Sequence, residues 1–291
     1  MSSVVGVRPK SPTERLLAGN AWLVYLFFYL PIAVLIFFSF NENNNVGIWT
    51  RPSLRWYRDV FANDAVMNAI RVSVTVAVIS TVISTVLGTM TALSLERFRY
   101  RGRRVFDGLV YLPIIIPDVT MAVMLLLFFA QSFSWLDGLL GWRPSFGVAT
   151  ISLSHIAFNI SFVAVVVRAR LGMMDPALEE AAADLYAGRW QTFRRVTLPL
   201  IAPGVAGGAL LALTLSLDDV VVTSFVAGPG ATTLPVYVFG LVRRGVTPLI
   251  NAVSTLMLVA SMVLVATSLG FQRGARSRVE TSNGDLIEPN T

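Results

Sequence analysis

The chain has 291 residues, of which 55% are hydrophobic and 14% are charged, and its mean hydropathy is +0.67. A soluble domain of this length has too little polar surface for such a composition, so we predict an all-α membrane protein. The chain lacks cysteine, which excludes disulfides and thiolate metal sites, and its single lysine, Lys10, is not part of a P-loop, which excludes a Walker-type ATPase.

Six apolar stretches reach the roughly 20 residues that a helix needs to cross a bilayer. The predicted spans are 19–40, 68–95, 107–133, 148–170, 202–227 and 250–271. The first is preceded by basic residues, as a signal peptide is, but its apolar run is long and no small-residue cleavage site follows it, so we predict an anchor. The spans form one transmembrane domain, 19–271, between polar tails at 1–18 and 272–291.

The basic residues are distributed unevenly over the loops. With six spans, 16 of the 23 arginines and lysines lie at the end of the bundle that carries both termini, and 7 lie at the other end. The positive-inside rule therefore places both termini in the cytoplasm, in a multi-pass protein of the bacterial inner membrane. The net charge of +6 then reflects topology, and we predict no nucleic-acid partner.

The segment between spans four and five, residues 171–199, is unusually polar. Asp175-Pro176 is typical of a helix start, and Glu179 and Glu180 follow in the first turn, where carboxylates stabilise the helix dipole. A second short helix with aromatic residues follows before span five. Two short amphipathic helices in the cytoplasm are typical of a segment that docks into a groove of another protein. An interfacial helix lying on lipid headgroups is the alternative.

Two parts of this segment, Glu-Ala-Ala at 180–182 and Val-x-Leu-Pro at 196–199, resemble the "EAA…G…IxLP" loop of binding-protein-dependent ABC importer permeases. The resemblance implies a coupling helix that sits in a cleft of a separate ATPase, which binds ATP and Mg²⁺, while this chain binds no cofactor. The residues that it implicates in ATPase coupling are Glu179, Glu180, Ala181, Ala182, Leu185, Tyr186, Gly188, Leu198 and Pro199.

One position of the loop departs from the family pattern. Tyr186 stands where the family has glycine, and the next glycine is Gly188. A left-handed conformation at Tyr186 would cost roughly 1 kcal/mol. The alternative is a turn rebuilt around Gly188, which can also cap the second helix.

Three further stretches resemble the second permease subunit of spermidine/putrescine importers. They are RWYRDVFAND at 55–64, LPIIIPDVTMAV at 112–123, and LSLDDVVVTSFVAGPGATTLPVYVFGLVRRGVTP at 215–248. The resemblance implies a non-catalytic half of a heterodimeric pore that imports putrescine or spermidine. Its partners would be an ATPase dimer, a second homologous permease, the lipid bilayer and a periplasmic binding protein that docks near 228–249. Related chains carry an acid where this chain has Leu249, which bears on the particular polyamine.

Three aspartates are predicted at membrane depth. Asp118 follows Pro117 in span three, where the chain should break its helix, and Asp218 and Asp219 lie roughly 13 Å inside span five. A carboxylate at such depth costs about 2.5–3.5 kcal/mol, so it should face a pathway or a partner. A passing polyamine would supply the missing positive charge.

Two aromatic residues complete the predicted substrate pathway. Phe158 and Tyr111 are expected to offer cation–π contacts to the amine. Structural roles stay open, because Asp118 could cap the half-helix that follows Pro117. Neighbouring positions on a helix point about 100° apart, so one of the paired aspartates should point away from the pathway. We favour Asp219 slightly over Asp218 for the pathway.

Other functions are also considered. His155, the only histidine, is expected to be a hydrogen-bonded packing residue, with Asn159 one turn away. With one histidine, no cysteine and no Glu/His cluster, we predict no metal site and no enzyme. The alternatives are an ABC permease for another small solute, such as an amino acid derivative, an organophosphonate or iron, and an ion-coupled secondary transporter.

Overall fold

The computed structural model describes residues 12–245 and 247–284, and these residues contain helices and no β-strand. The all-α prediction is confirmed. The helices are α1 (Pro12–Ser39), α2 (Arg55–Ala62), α3 (Asp64–Arg97), α4 (Arg103–Ile115), α5 (Asp118–Leu140), α6 (Val148–Gly172), α7 (Ala177–Asp184), α8 (Arg189–Thr192), a π-helical turn (Phe193–Thr197), α9 (Leu198–Asp218), α10 (Val221–Val226), α11 (Leu234–Arg244) and α12 (Pro248–Gly284).

Six helical segments are long and apolar enough to cross a membrane, as predicted. They are Pro12–Ser39, Asp64–Arg97, Asp118–Leu140, Val148–Gly172, Arg189–Asp218 and Pro248–Thr267. The first helix begins inside the predicted amino-terminal tail, and the last continues to Gly284, beyond the predicted boundary at 271. Residues 1–11 and 285–291 of the predicted tails lie outside the described residues.

The predicted third span, 107–133, is divided into two helices. α4 ends at Ile115, and Ile116 is extended (φ −70°, ψ 133°) before Pro117. A proline disfavours helical conformation at the residue before it and offers no amide hydrogen, so the break follows from the sequence. Pro113, by contrast, stays inside α4. The span proper is therefore α5.

The fifth predicted span, 202–227, is not one continuous helix, and the prediction is wrong for its carboxy-terminal part. α9 ends at Asp218, Asp219 is extended (φ −68°, ψ 124°), and the short helix α10 begins only at Val221. This second break puts non-helical backbone at a depth where its polar groups need partners from within the protein. Those partners belong to the candidate site.

Small residues let the three central helices pack closely. α3, α6 and α9 all pack against one another, and α6 is the most buried of the spans. Gly88 of α3 and Gly208 of α9 both face Val163 of α6. A Cβ built on Gly88 would lie 2.7 Å from the Val163 Cβ and 2.9 Å from the Ile160 carbonyl oxygen. Glycine is needed here because any side chain would force the helices apart.

We expect Gly88→Ala to destabilise the protein by about 1–3 kcal/mol, the usual cost of overpacking a close-packed core. The matched control is Gly108→Ala on α4, where an added Cβ meets nothing within 4 Å. Thermal unfolding of the purified protein in detergent should show a lower midpoint for Gly88→Ala alone. Equal midpoints for the two variants would contradict the packing account.

Candidate functional site: an intramembrane cavity and an exposed loop

A cavity of about 250 Å³ lies where the two helix breaks meet α6. The structure brings four of the predicted pathway residues together around it: Asp118, Asp218, Asp219 and Phe158. Its other lining residues are apolar: Pro113, Met121, Phe162, Leu215 and residues 220–222. The cavity therefore carries three carboxylates and no basic side chain.

Asp118 is the first residue of α5, and it does not cap that helix. The capping position is Pro117, and no side-chain hydrogen bond caps the helix start. The structure does not support the alternative that Asp118 is a cap. Its carboxylate is exposed and has no hydrogen-bond or ion-pair partner among the side chains that the structure describes, those of residues 12–243 and 247–267. The positive end of the α5 dipole helps to stabilise this charge.

Asp219 is held by several hydrogen bonds. Its Oδ2 accepts from the Thr223 amide and from the Thr223 hydroxyl, each at 2.7 Å, and its Oδ1 accepts from the Val222 amide at 3.2 Å. The His155 Nε2 lies 3.2 Å from the same Oδ2 and 3.0 Å from the Thr223 hydroxyl. Asp219 thus provides hydrogen-bond acceptors for the first amides of α10 and stabilises the break in the backbone.

Asp218 has a different environment from its neighbour. Its carboxylate is exposed to the cavity and has no side-chain partner in the described parts of the chain. The slight preference for Asp219 over Asp218 stays a prediction, but the bonding differs from it, because the carboxylate with hydrogen-bond partners is that of Asp219. Both carboxylate oxygens of Asp219 accept hydrogen bonds within the chain, whereas those of Asp218 are available to a cation.

A buried polar network lies behind the cavity. His155 is fully buried, as a packing residue should be, and its ring centroid is 5.2 Å from that of Phe158. One turn further along α6, the Asn159 amide donates to the Ser216 hydroxyl at 2.9 Å, and Ser216 bonds Ser80 of α3 at 2.8 Å. The network joins α3, α6 and α9 through side chains that are buried within the chain.

Sequence reasoning missed Thr223, Ser216 and Ser80 in these roles. Each is a small hydroxyl residue in an apolar stretch, and such residues also occur at ordinary helix contacts. The usable signal was the spacing of His155 and Asn159 on one face of α6. Two bulky polar side chains in succession on a buried face require partners on the neighbouring helices.

Tyr111 does not line the cavity. Its ring lies 5.9 Å from the guanidinium carbon of Arg168 on α6, so its cation–π partner is within the chain. Arg168 also bonds Glu96 of α3 at 2.8 Å and pairs with Asp107 of α4. Tyr111 therefore contacts the ion-pair cluster around Arg168 and does not line the cavity where the amine contact was predicted.

The loop between α6 and α9 contains the two short helices that the sequence predicted. The Asp175 carboxylate accepts a hydrogen bond from the Ala177 amide at 3.0 Å, at the start of α7. Large side chains are exposed around the turn between α7 and α8: Leu185 at 82%, Tyr186 at 97% and Trp190 at 70%. Apolar groups so exposed on a polar loop are typical of a protein-binding surface.

The two neighbouring glutamates of α7 have different surroundings. Glu179 accepts hydrogen bonds from Arg97 at 2.9 Å and from the Thr197 hydroxyl at 2.7 Å, so it ties α7 to the end of α3 and to the π-helical turn. Glu180 is exposed and has no partner among the described residues. Leu198 and Pro199 begin α9 directly after the π-helical turn.

Tyr186 adopts the left-handed conformation, with φ +59°, and no other non-glycine residue of the described chain has a positive φ. The Ala187 amide bonds the Ala182 carbonyl at 3.0 Å, and the Tyr186 amide bonds the Ala183 carbonyl at 2.9 Å. This is the Schellman ending of a helix, with tyrosine where glycine is usual. Gly188 is extended (φ −67°, ψ 157°) and precedes α8. The turn is therefore not rebuilt around Gly188.

Residues 84–281 match the sequence pattern of the "Binding-protein-dependent transport system inner membrane component". The chain belongs to this permease family. It is 44% identical to the putrescine transport system permease protein PotI of Escherichia coli K12, over 81% of this chain and 83% of that protein.

Two further comparisons extend over most of this permease. It is 38% identical to the spermidine/putrescine transport system permease protein PotC of Escherichia coli K12, over 94% of this chain and 98% of that protein. Its fold is similar to that in a crystal structure of a bacterial ABC transporter for alginate, with TM-score 0.73, 22% identity, and coverage of 89% and 93% of the two chains. The permease fold predicted from the sequence is confirmed.

We expect Tyr186→Gly to stabilise the end of α7, because glycine takes a positive φ without the strain of roughly 1 kcal/mol. Hydrogen exchange at the Tyr186 and Ala187 amides should slow by up to about fivefold. Tyr186→Ala is the control, since it removes the exposed ring but keeps the β-carbon strain. Slower exchange in both variants would mean that the ring, rather than the backbone, strains the turn.

Proposed function

We propose that this permease is one half of a heterodimeric pore that imports putrescine or spermidine, driven by a separate ATPase. The observation that carries the proposal is the cavity with three carboxylates and no basic residue at the breaks of two membrane helices. Charged groups at this depth are costly unless they serve a partner or a passing ion. A linear polyamine, with cationic ends and apolar methylenes, fits both the acids and the apolar walls.

The roles of the lining residues follow from their bonding. Asp118 and Asp218 have no partners among the described residues, so they would receive the ammonium groups. Phe158 lines the same cavity and would offer a ring face to an ammonium group. Asp219 would act indirectly by holding the backbone open beside Asp218. The names of PotI and PotC, which refer to putrescine and spermidine, support this cargo.

The other cargoes fit the cavity less well. An organophosphonate would bring its own negative charge to three carboxylates, which Coulomb repulsion opposes. An amino acid derivative with a free carboxylate would meet the same repulsion. Carboxylates can bind iron, so the polyamine is preferred to an iron complex on the names of PotI and PotC. An ion-coupled secondary transporter is disfavoured because the chain belongs to a permease family of binding-protein-dependent systems.

The proposed assembly places each partner at a different surface. The arginine-rich loops and both termini would face the cytoplasm, by the positive-inside rule. The ATPase, which binds ATP and Mg²⁺, would bind the turn between α7 and α8. The exposure of Leu185, Tyr186 and Trp190 in this turn supports a docking role. A periplasmic binding protein would dock near 228–249, and a second permease would complete the pore.

Coupling in this proposal is mechanical. The sequence has no P-loop, so ATP would bind to the partner ATPase. The conformational change that follows would be transmitted to the cavity through packed helices. Glu179 would transmit the movement, because it bonds both α3, through Arg97, and the π-helical turn before α9, through Thr197. α9 then leads directly to Asp218 at the cavity.

The first test measures ATP-driven uptake of putrescine and spermidine into vesicles that contain the complete importer. We expect Asp218→Asn to lower uptake by at least about tenfold, the effect of losing about 1.4 kcal/mol of substrate attraction. Asp137→Asn is the matched control, because Asp137 pairs with Arg143 away from the cavity. Glu180→Ala should lose uptake while the complex still assembles. Normal uptake by Asp218→Asn would show that this carboxylate is not part of the pathway. If the wild-type importer transported neither amine, the proposed substrate would be wrong.

The second test separates coupling from docking. We expect Glu179→Gln to keep ATPase binding but to lower uptake per ATP hydrolysed by up to about fivefold, since a partly exposed ion pair contributes about 1 kcal/mol. The reversed pair, Glu179→Arg with Arg97→Glu, should restore part of the loss. A Glu179→Gln variant with a normal ratio of uptake to hydrolysis would show that this contact transmits nothing.

A further inference from the structure

The loop between α3 and α4 forms an open groove of about 770 Å³ with the first turn of α4. Three of its lining residues are arginines, Arg99, Arg103 and Arg104, and we call it the arginine groove. None of these three side chains has a hydrogen-bond or ion-pair partner among residues 12–243 and 247–267, whose side chains the structure describes. Uncompensated positive charge is therefore concentrated in one concave surface.

The one acid in the wall does not neutralise the groove. Asp107 lines it, but its carboxylate pairs with Arg168 of α6. Arg168 also bonds Glu96 at 2.8 Å, near the end of α3. This arginine therefore holds together the two helices that the groove lies between. The two helix ends that flank the groove are thus linked to each other through Arg168.

An apolar surface continues directly from the groove along α4. Val105 and Leu109 are one helical turn apart on one side of α4, and they are 69% and 55% exposed. Phe106 beside them is 43% exposed, and Tyr100 in the groove wall is 40% exposed. Aromatic residues at the edge of a membrane-spanning region typically lie at the level of lipid headgroups.

We propose that the arginine groove binds the phosphate of an anionic phospholipid, whose acyl chain lies along the apolar side of α4. Guanidinium groups bind phosphate oxygens through paired hydrogen bonds, and basic pockets beside membrane helices favour anionic headgroups. A free phosphate would occupy the arginines but leave Val105 and Leu109 uncovered. An acidic protein segment would match the charge but not the apolar surface. A lipid satisfies both, and the surrounding bilayer supplies it.

This site is independent of the transported substrate. The groove lies at the opposite end of α4 from Pro113, the α4 residue that lines the carboxylate cavity. It would anchor α4 and, through the pairs of Arg168, the end of α3 that also holds Glu179. Failure of the polyamine proposal would leave the lipid site unaffected.

The test is native mass spectrometry of the purified complete importer, titrated with phosphatidylglycerol or phosphatidylcholine. We expect wild type to prefer phosphatidylglycerol. Because each arginine near a headgroup contributes about fivefold in affinity, Arg99→Gln with Arg104→Gln should reduce this preference by roughly 10- to 25-fold. The control, Arg15→Gln with Arg101→Gln, removes the same charge outside the groove and should retain the preference.

Three outcomes would overturn the proposal. Wild type could bind both lipids equally, or the two double variants could lose the preference to the same extent, which would indicate general surface charge. Inorganic phosphate at millimolar concentration could displace phosphatidylglycerol, which would make the groove a site for a free anion. Matching thermal midpoints of the two double variants would establish that both are folded and that the comparison is valid.

Discussion

A backbone that stops being helical inside a bilayer must find new partners for its amide and carbonyl groups. Asp219 meets this constraint by accepting from the amides of residues 222 and 223, and His155 holds the same carboxylate from α6. The end of α9 and the start of α10 depend on this bonding, and so does the exposure of Asp218. One aspartate thus stabilises an opened backbone beside which its neighbour can face a cavity.

The second requirement is that both helix breaks reach the same place. α6 makes this possible, because glycines on α3 and α9 let those helices approach it closely at Val163. The polar network through Asn159 and Ser216 then fixes α9 against α6 and α3 in one register. The carboxylates come together as a result of helix packing, although Asp118 and Asp218 are far apart in sequence.

The sequence predicted those features whose cause is local. Apolar length identified the six spans, Pro117 indicated the first break, and the family glycine position indicated a left-handed Tyr186 as one of two alternatives, which the structure then decided. The break after Asp218 was missed because no proline or glycine stands beside it, and one of the bonds that fix it comes from His155, 64 residues away. The pairing of Glu179 with Arg97, 82 residues apart, was missed for the same reason.

His155 gives the chain an internal spectroscopic reporter, since it is the only histidine in the sequence. Every imidazole signal from an isotopically labelled chain would come from one ring, which touches Asp219 and Phe158 at the back of the cavity. No engineered label is needed, and no background has to be subtracted. The occupancy of the cavity and the state of the α9 break would both be recorded at a residue that is completely buried.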